Sequence, residues 1–232
     1  MESKRGRKIH GLAEEAREKE QDFLKALKLL DEATIAYQED NDYLGMSEAQ
    51  NSRFIVLKHL FEKTADKSYL ILARLAAQAG VEIAEENNLK EALPLAYFNL
   101  GKAYEEEEKY KDAVIFFQKA YESKDNLPER HDRPAVRADI KAHLAFAQYM
   151  SGDKSAISKL DQAIIDLENS DEYPYTKDVW LSGAHMRAAK ALKDDDRKKA
   201  EEHLAKAKEI ITSNPELKLR MGQWESLAEN FK

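Results

Sequence analysis

The sequence predicts an all-α protein built as a solenoid of stacked antiparallel helical hairpins, with about ten helices. Composition is the first ground. The chain has 232 residues, 43% hydrophobic and 35% charged, with only 8 Gly and 5 Pro. Its mean hydropathy is −0.70. Few turn formers and many charges suit helices with one packed and one solvated face. A repeated helical triplet is the second ground, and the placing of helix terminators is the third.

The triplet is Ala, three residues, a large apolar residue, two residues, Ala. It occurs as Ala26-Leu30-Ala33, Ala77-Val81-Ala84, Ala113-Phe117-Ala120, Ala156-Leu160-Ala163 and Ala200-Leu204-Ala207. Spacing of i, i+4, i+7 puts the three side chains on one helical face. Small–large–small on that face lets a second helix approach closely and close around the large residue. The starts lie 51, 36, 43 and 44 residues apart, a period that fits helical hairpins.

The third copy has more in it. Tyr97-Phe98-Asn99-Leu100-Gly101-Lys102-Ala103-Tyr104 precedes Tyr110, Ala113, Phe117 and Ala120. Over residues 94–127 this resembles the tetratricopeptide repeat (TPR): an aromatic, Leu-Gly, Tyr, then Ala, Phe and Ala at fixed intervals. The other copies match in part. Leu144-Ala145 stands for Leu-Gly in the fourth, and Trp180 opens the fifth, with Ala188 at the Gly position. The resemblance implies a right-handed superhelical array with extended units. It is similar to the longer TPR arrays of intracellular bacterial peptide receptors.

The elements follow in order. Helix 12–38 holds the first triplet. The capping box Ser47-Glu48-Ala49-Gln50 predicts a helix over 47–64. Asp66 or Ser68 opens 67–86. Pro94 fits the first turn of 91–108, and 110–123 completes that hairpin. Asp132-Arg133-Pro134 opens 133–150, and Gly152-Asp153 stops it and starts 154–169. Helices over 176–193 and 196–212 follow. Asn214-Pro215 predicts the start of a capping helix over 215–230, where Met221, Trp224 and Leu227 cover the end of the stack. Linkers are short except 124–132 and 170–175. Residues 12–232 then form one repeat domain.

Charge is uneven. The first ten residues carry Lys4, Arg5, Arg7 and Lys8 against Glu2, a local +3, so the chain's −7 leaves −10 on the rest. Residues 1–11 read as a disordered basic tail, without the apolar stretch a secretory signal needs. No apolar run approaches the roughly 18–20 residues of a membrane span. A cytoplasmic protein is the default expectation. The acidic body disfavours nucleic acid as a partner.

Chemistry-bearing motifs are missing. With no Cys, thiolate metal sites and disulfides are excluded. His10, His59, His131, His143, His185 and His203 include no i, i+4 pair, so no helix-borne metal site is predicted. No glycine-rich phosphate loop or nucleophile elbow is present. The expectation is a non-enzymatic protein with no cofactor.

Its expected function is protein or peptide binding in the concave groove lined by the first helix of each hairpin. The resemblance implies that positions just after the opening aromatic and just after Leu-Gly face this groove. These are Phe98, Asn99 and Lys102, with Ala142, His143 and Phe146 in the next unit and His185, Met186 and Ala189 in the last. Asn51 corresponds in the earliest unit. Asn can grip a peptide backbone with donor and acceptor, and Lys can hold a carboxylate. Two other readings stand beside it: an intracellular signal-peptide receptor, or a structural subunit of an assembly. Homo-oligomerisation fits any of the three.

Overall fold

Hairpin formation begins with turn chemistry. In the computed structural model, which describes residues 2–232, tight turns hold one residue with left-handed backbone: Gln21, Asn41, Ala65, Asn88, Glu108 and Gly152. Such a residue ends a helix abruptly and lets the chain reverse. The eleven α-helices among the described residues are α1 Lys4–Glu15, α2 Phe23–Glu39, α3 Tyr43–Thr64, α4 Lys67–Glu86, α5 Leu93–Glu106, α6 Tyr110–Glu122, α7 Pro134–Met150, α8 Ile157–Glu168, α9 Pro174–Leu192, α10 Arg197–Ser213 and α11 Lys218–Glu229. The chain divides into two compact units after Pro128, inside the long linker marked by the sequence.

The first unit stacks three hairpins, α1/α2, α3/α4 and α5/α6, with α3 against α2 and α5 against α4. The second holds α7/α8 and α9/α10, with α11 packed on α10 and α9. The five triplets all lie in the second helices, Ala156 in the short 3₁₀ turn leading into α8. All fifteen of their residues are buried. The hairpin period read from the sequence is therefore the packing period of the molecule.

Three boundaries differ from expectation. Residues 4–15 are helical, not a disordered tail, and α1 and α2 replace the single helix 12–38. A π-helical turn at Ala16–Glu20 and left-handed Gln21 break the chain there, and the Asp22 carboxylate restarts it by accepting from the Lys25 N–H. Ser3 caps α1 through the Gly6 N–H, and its own N–H donates to Asp42 at 2.9 Å. Secondly, α3 starts at Tyr43, capped by Asp42. Ser47 lies inside the helix, buried, and donates to the Gly80 carbonyl at 2.9 Å. Lastly, α11 starts three residues beyond Pro215, because Asn214 closes a turn on the Glu216 N–H. Asp66, Pro94, Pro134 and Gly152-Asp153 end or start helices where the sequence puts them.

Close crossings fix the register of the first unit. A Cβ on Gly101 would stand 2.5 Å from the Phe117 ring, so the ring of α6 seats directly on the backbone of α5. Tyr97 and Tyr104 flank that seat, Tyr104 stacking on Phe116 at 5.5 Å and the Tyr97 hydroxyl donating to Glu85 at 2.6 Å. Fully buried Tyr37 of α2 lies between Gly6 of α1 and Gly45 of α3, and a Cβ on either would strike its ring. The cost of Gly101 in mid-helix, about 1 kcal/mol against Ala, is offset by burial of the Phe117 ring.

Candidate protein-interaction surfaces

The first helices present a different chemistry from the second. In the first unit, neighbouring first helices are joined by polar and charged groups. Arg7 of α1 pairs with Glu48 of α3. His10 of α1 lies between the Tyr37 hydroxyl at 3.1 Å and Ser52 Oγ of α3 at 2.7 Å. Lys58 of α3 pairs with Glu106 of α5 at 3.0 Å and with Glu62 at 3.1 Å. Burial opposes ionisation of Glu62, but Lys58 and His59 outweigh it and hold the carboxyl well below its usual range. Lys102 of α5 places Nζ over the Phe98 ring at 5.1 Å and the Phe54 ring of α3 at 5.8 Å.

In the second unit, His143 of α7 accepts a hydrogen bond from Arg187 of α9 through Nε2. Asp139, one turn earlier on α7, has Oδ1 3.8 Å from that nitrogen. Arg220 of α11 reaches the same place: its Nη2 and the Arg187 Nη1 lie 3.3 and 3.4 Å from where a Gly183 Cβ would be. Arg220 is steadied by Gln223 at 2.6 Å.

The seven residues expected in a groove take different positions. Lys102 and His143 reach a neighbouring first helix. Asn99 and Phe146 are buried on α5 and α7. The other three touch the second helix of their own hairpin. Asn51 sits beside Gly80 of α4, with Oδ1 buried and without a hydrogen-bond partner. The Phe98 ring is 5.8 Å from Phe117. His185 Nδ1 lies 2.9 Å from His203 Nδ1 of α10; burial first, then His203 and Lys206, lower its pKa to about 4. The companion residues Ala142, Met186 and Ala189 are also buried.

Reading from residues missed Arg187 and Arg220. The available signal was Gly183, a second mid-helix glycine in a first helix, two side chains away from His185. Among the described residues no helix is long and apolar enough to cross a membrane.

Hairpins of this kind recur in known structures. BtubC (BKLC) from P. vanneervenii superposes with a TM-score of 0.61 at 24% identity, covering 89% of this chain and 80% of its own. A putative kinesin light chain from Podosopora anserina with nearly identical TPR-like repeats gives 0.60 at 16% identity over 91% and 97%. The fold is a TPR-like helical repeat. No protein-family model and no curated protein matches the sequence. The glycine of the Leu-Gly pair seats the Phe117 of the third triplet, and a triplet lies in each second helix.

Proposed function

We propose that the chain is a non-enzymatic interaction module that binds a protein or peptide along the faces of its first helices. One observation carries this reading. Each unit uses apolar triplets to close its hairpins, yet joins neighbouring first helices with Arg7–Glu48, Lys58–Glu106 and Arg187–His143. Such a face carries charge over a buried aromatic floor, as where Lys102 lies across the Phe54 and Phe98 rings. That combination suits recognition of an extended segment or a partner helix.

The test compares proteins captured from native lysate by wild type, Lys102→Glu and Arg187→Glu. Each variant is checked for an unchanged helical signal and melt. Loss of a captured protein in either folded variant supports the reading. An identical set captured by all three overturns it.

A further inference from the structure

We propose that two copies of this chain pair through α4, antiparallel, about a two-fold axis near Leu75. α4 is a second helix whose inner face, Ala73, Ala76, Ala77, Gly80, Val81 and Ala84, is buried. Its outer face carries Ile71, Leu72 and Leu75, exposed by 51, 48 and 50%. Spaced i, i+1 and i+4, they form one stripe, prolonged by half-buried Ala79 and then Glu82 and Glu86. Arg74, on the flank, is drawn away to Glu107, the residue just after α5, at 2.9 Å.

Charge along the helix selects the occupant. Lys67 stands at the N-terminal end, while Glu82 and Glu86 stand at the other; Glu85 between them is taken up by the Tyr97 hydroxyl of α5. Asp66 caps the first turn by accepting from the Ser68 N–H, and the last turn holds no base. The dipole favours the Asp66 cap but disfavours acids at the far end, so the stability of α4 itself does not explain Glu82 and Glu86. An antiparallel second copy does. With Leu75 on Leu75 at the axis, Ile71 meets Ala79 of the second copy. Lys67, eight residues from the axis, comes level with Glu82 of the second copy, seven residues from it. Each copy repeats the same contacts, as an isologous interface requires. A 20-residue helix spans about 30 Å. A seam of that length falls at the small end of specific interfaces, below roughly 1,200 Å² in total, and predicts a dimer that forms at micromolar concentrations and above.

Sedimentation of the full chain from about 5 to 300 μM tests this. The expected mass rises from 26.6 kDa towards the dimer. Leu75→Glu raises the dimer dissociation constant at least about tenfold. Lys67→Glu weakens pairing, and Lys67→Glu with Glu82→Lys restores it. Leu75 is half-exposed, so the fold survives; Ile71→Ser serves in its place if the melt of Leu75→Glu falls. A wild type of monomer mass throughout overturns the proposal, including one whose stripe takes up an amphipathic helix of another protein. So does a dimer equally tight in the folded stripe variants.

Discussion

Gly101 and Gly183 both sit mid-helix in a first helix, and what each one makes room for separates the two units. Gly101 admits an aromatic ring, Phe117, packed against backbone. Gly183 admits the ends of two arginine side chains, Arg187 and Arg220. A ring in van der Waals contact with backbone cannot retreat, whereas a guanidinium on a flexible stem can. The same sequence signal, glycine in a helix, thus marks a structural lock in one unit and a polar crossing in the other. Buried histidines sharpen the contrast. His10 in the first unit has neutral hydroxyl partners, whereas His185 in the second faces another imidazole.

The largest effect expected is at Tyr37. Tyr37→Ala empties the slot between Gly6 and Gly45, which no side chain can refill. It should cost the first unit about 3–5 kcal/mol in urea unfolding. A smaller loss would mean that α1 is held mainly by Arg7 and Ser3.

Acid should act next. The folded-state pKa of His185 is lowered to about 4, below its usual value near 6.5. Its contribution is fully present above pH 6.5 and is lost as pH falls towards 4, because the unfolded chain binds the proton first. Comparison of urea midpoints at pH 7 and 4.5 should show a fall of at least about 2 kcal/mol, and His185→Phe should reduce it, leaving the part due to His10 and His203, whose pKa values burial also lowers. Carboxylates with lowered pKa values, such as Glu62, lose their contribution only below about pH 4.5. An unchanged pH slope in His185→Phe would place the acid sensitivity elsewhere.

The glycines themselves give the direct comparison. Gly101→Ala drives a Cβ into Phe117 and should cost about 1–3 kcal/mol. Gly183→Ala should change stability by less than about 1 kcal/mol, since gained helix propensity offsets a small shift of two guanidiniums. Equal losses by thermal melting would erase the distinction drawn between them. The smallest effect is expected at Ala65, whose φ of 57° is left-handed. Ala65→Gly should stabilise by about 0.5–1 kcal/mol, measured the same way.

The hairpins could be read from the sequence because their packing is periodic and local. The fifteen triplet residues follow from spacing; which ring of α6 seats on Gly101 does not. The interaction faces could not be read so well. Which side of a first helix meets its neighbour depends on a crossing angle, and one residue of error turns a side chain by about 100°. That is why His185 faces His203 while Arg187, two positions on, reaches His143. The basic N-terminus misled for another reason. Charge suggested solvent, but Ser3, Gly6, His10 and Ala13 lie on a narrow buried face whose purpose appears only once Tyr37 is in place.

That arrangement has a consequence during synthesis. α1 leaves the ribosome before α3, and the pocket that holds it is completed only by Asp42 and Gly45, some forty residues later. Until then the first helix has no complete seat, and the first hairpin is an open end. Once α3 emerges, Tyr37 is enclosed from both sides and the Ser3 N–H gains its carboxylate. Within the first unit, α5/α6 can then add to an already formed neighbour, as nearest-neighbour stacking allows. α1 is therefore the part that waits, and bulk that crowds Ser3 should slow folding more than bulk added beside α11.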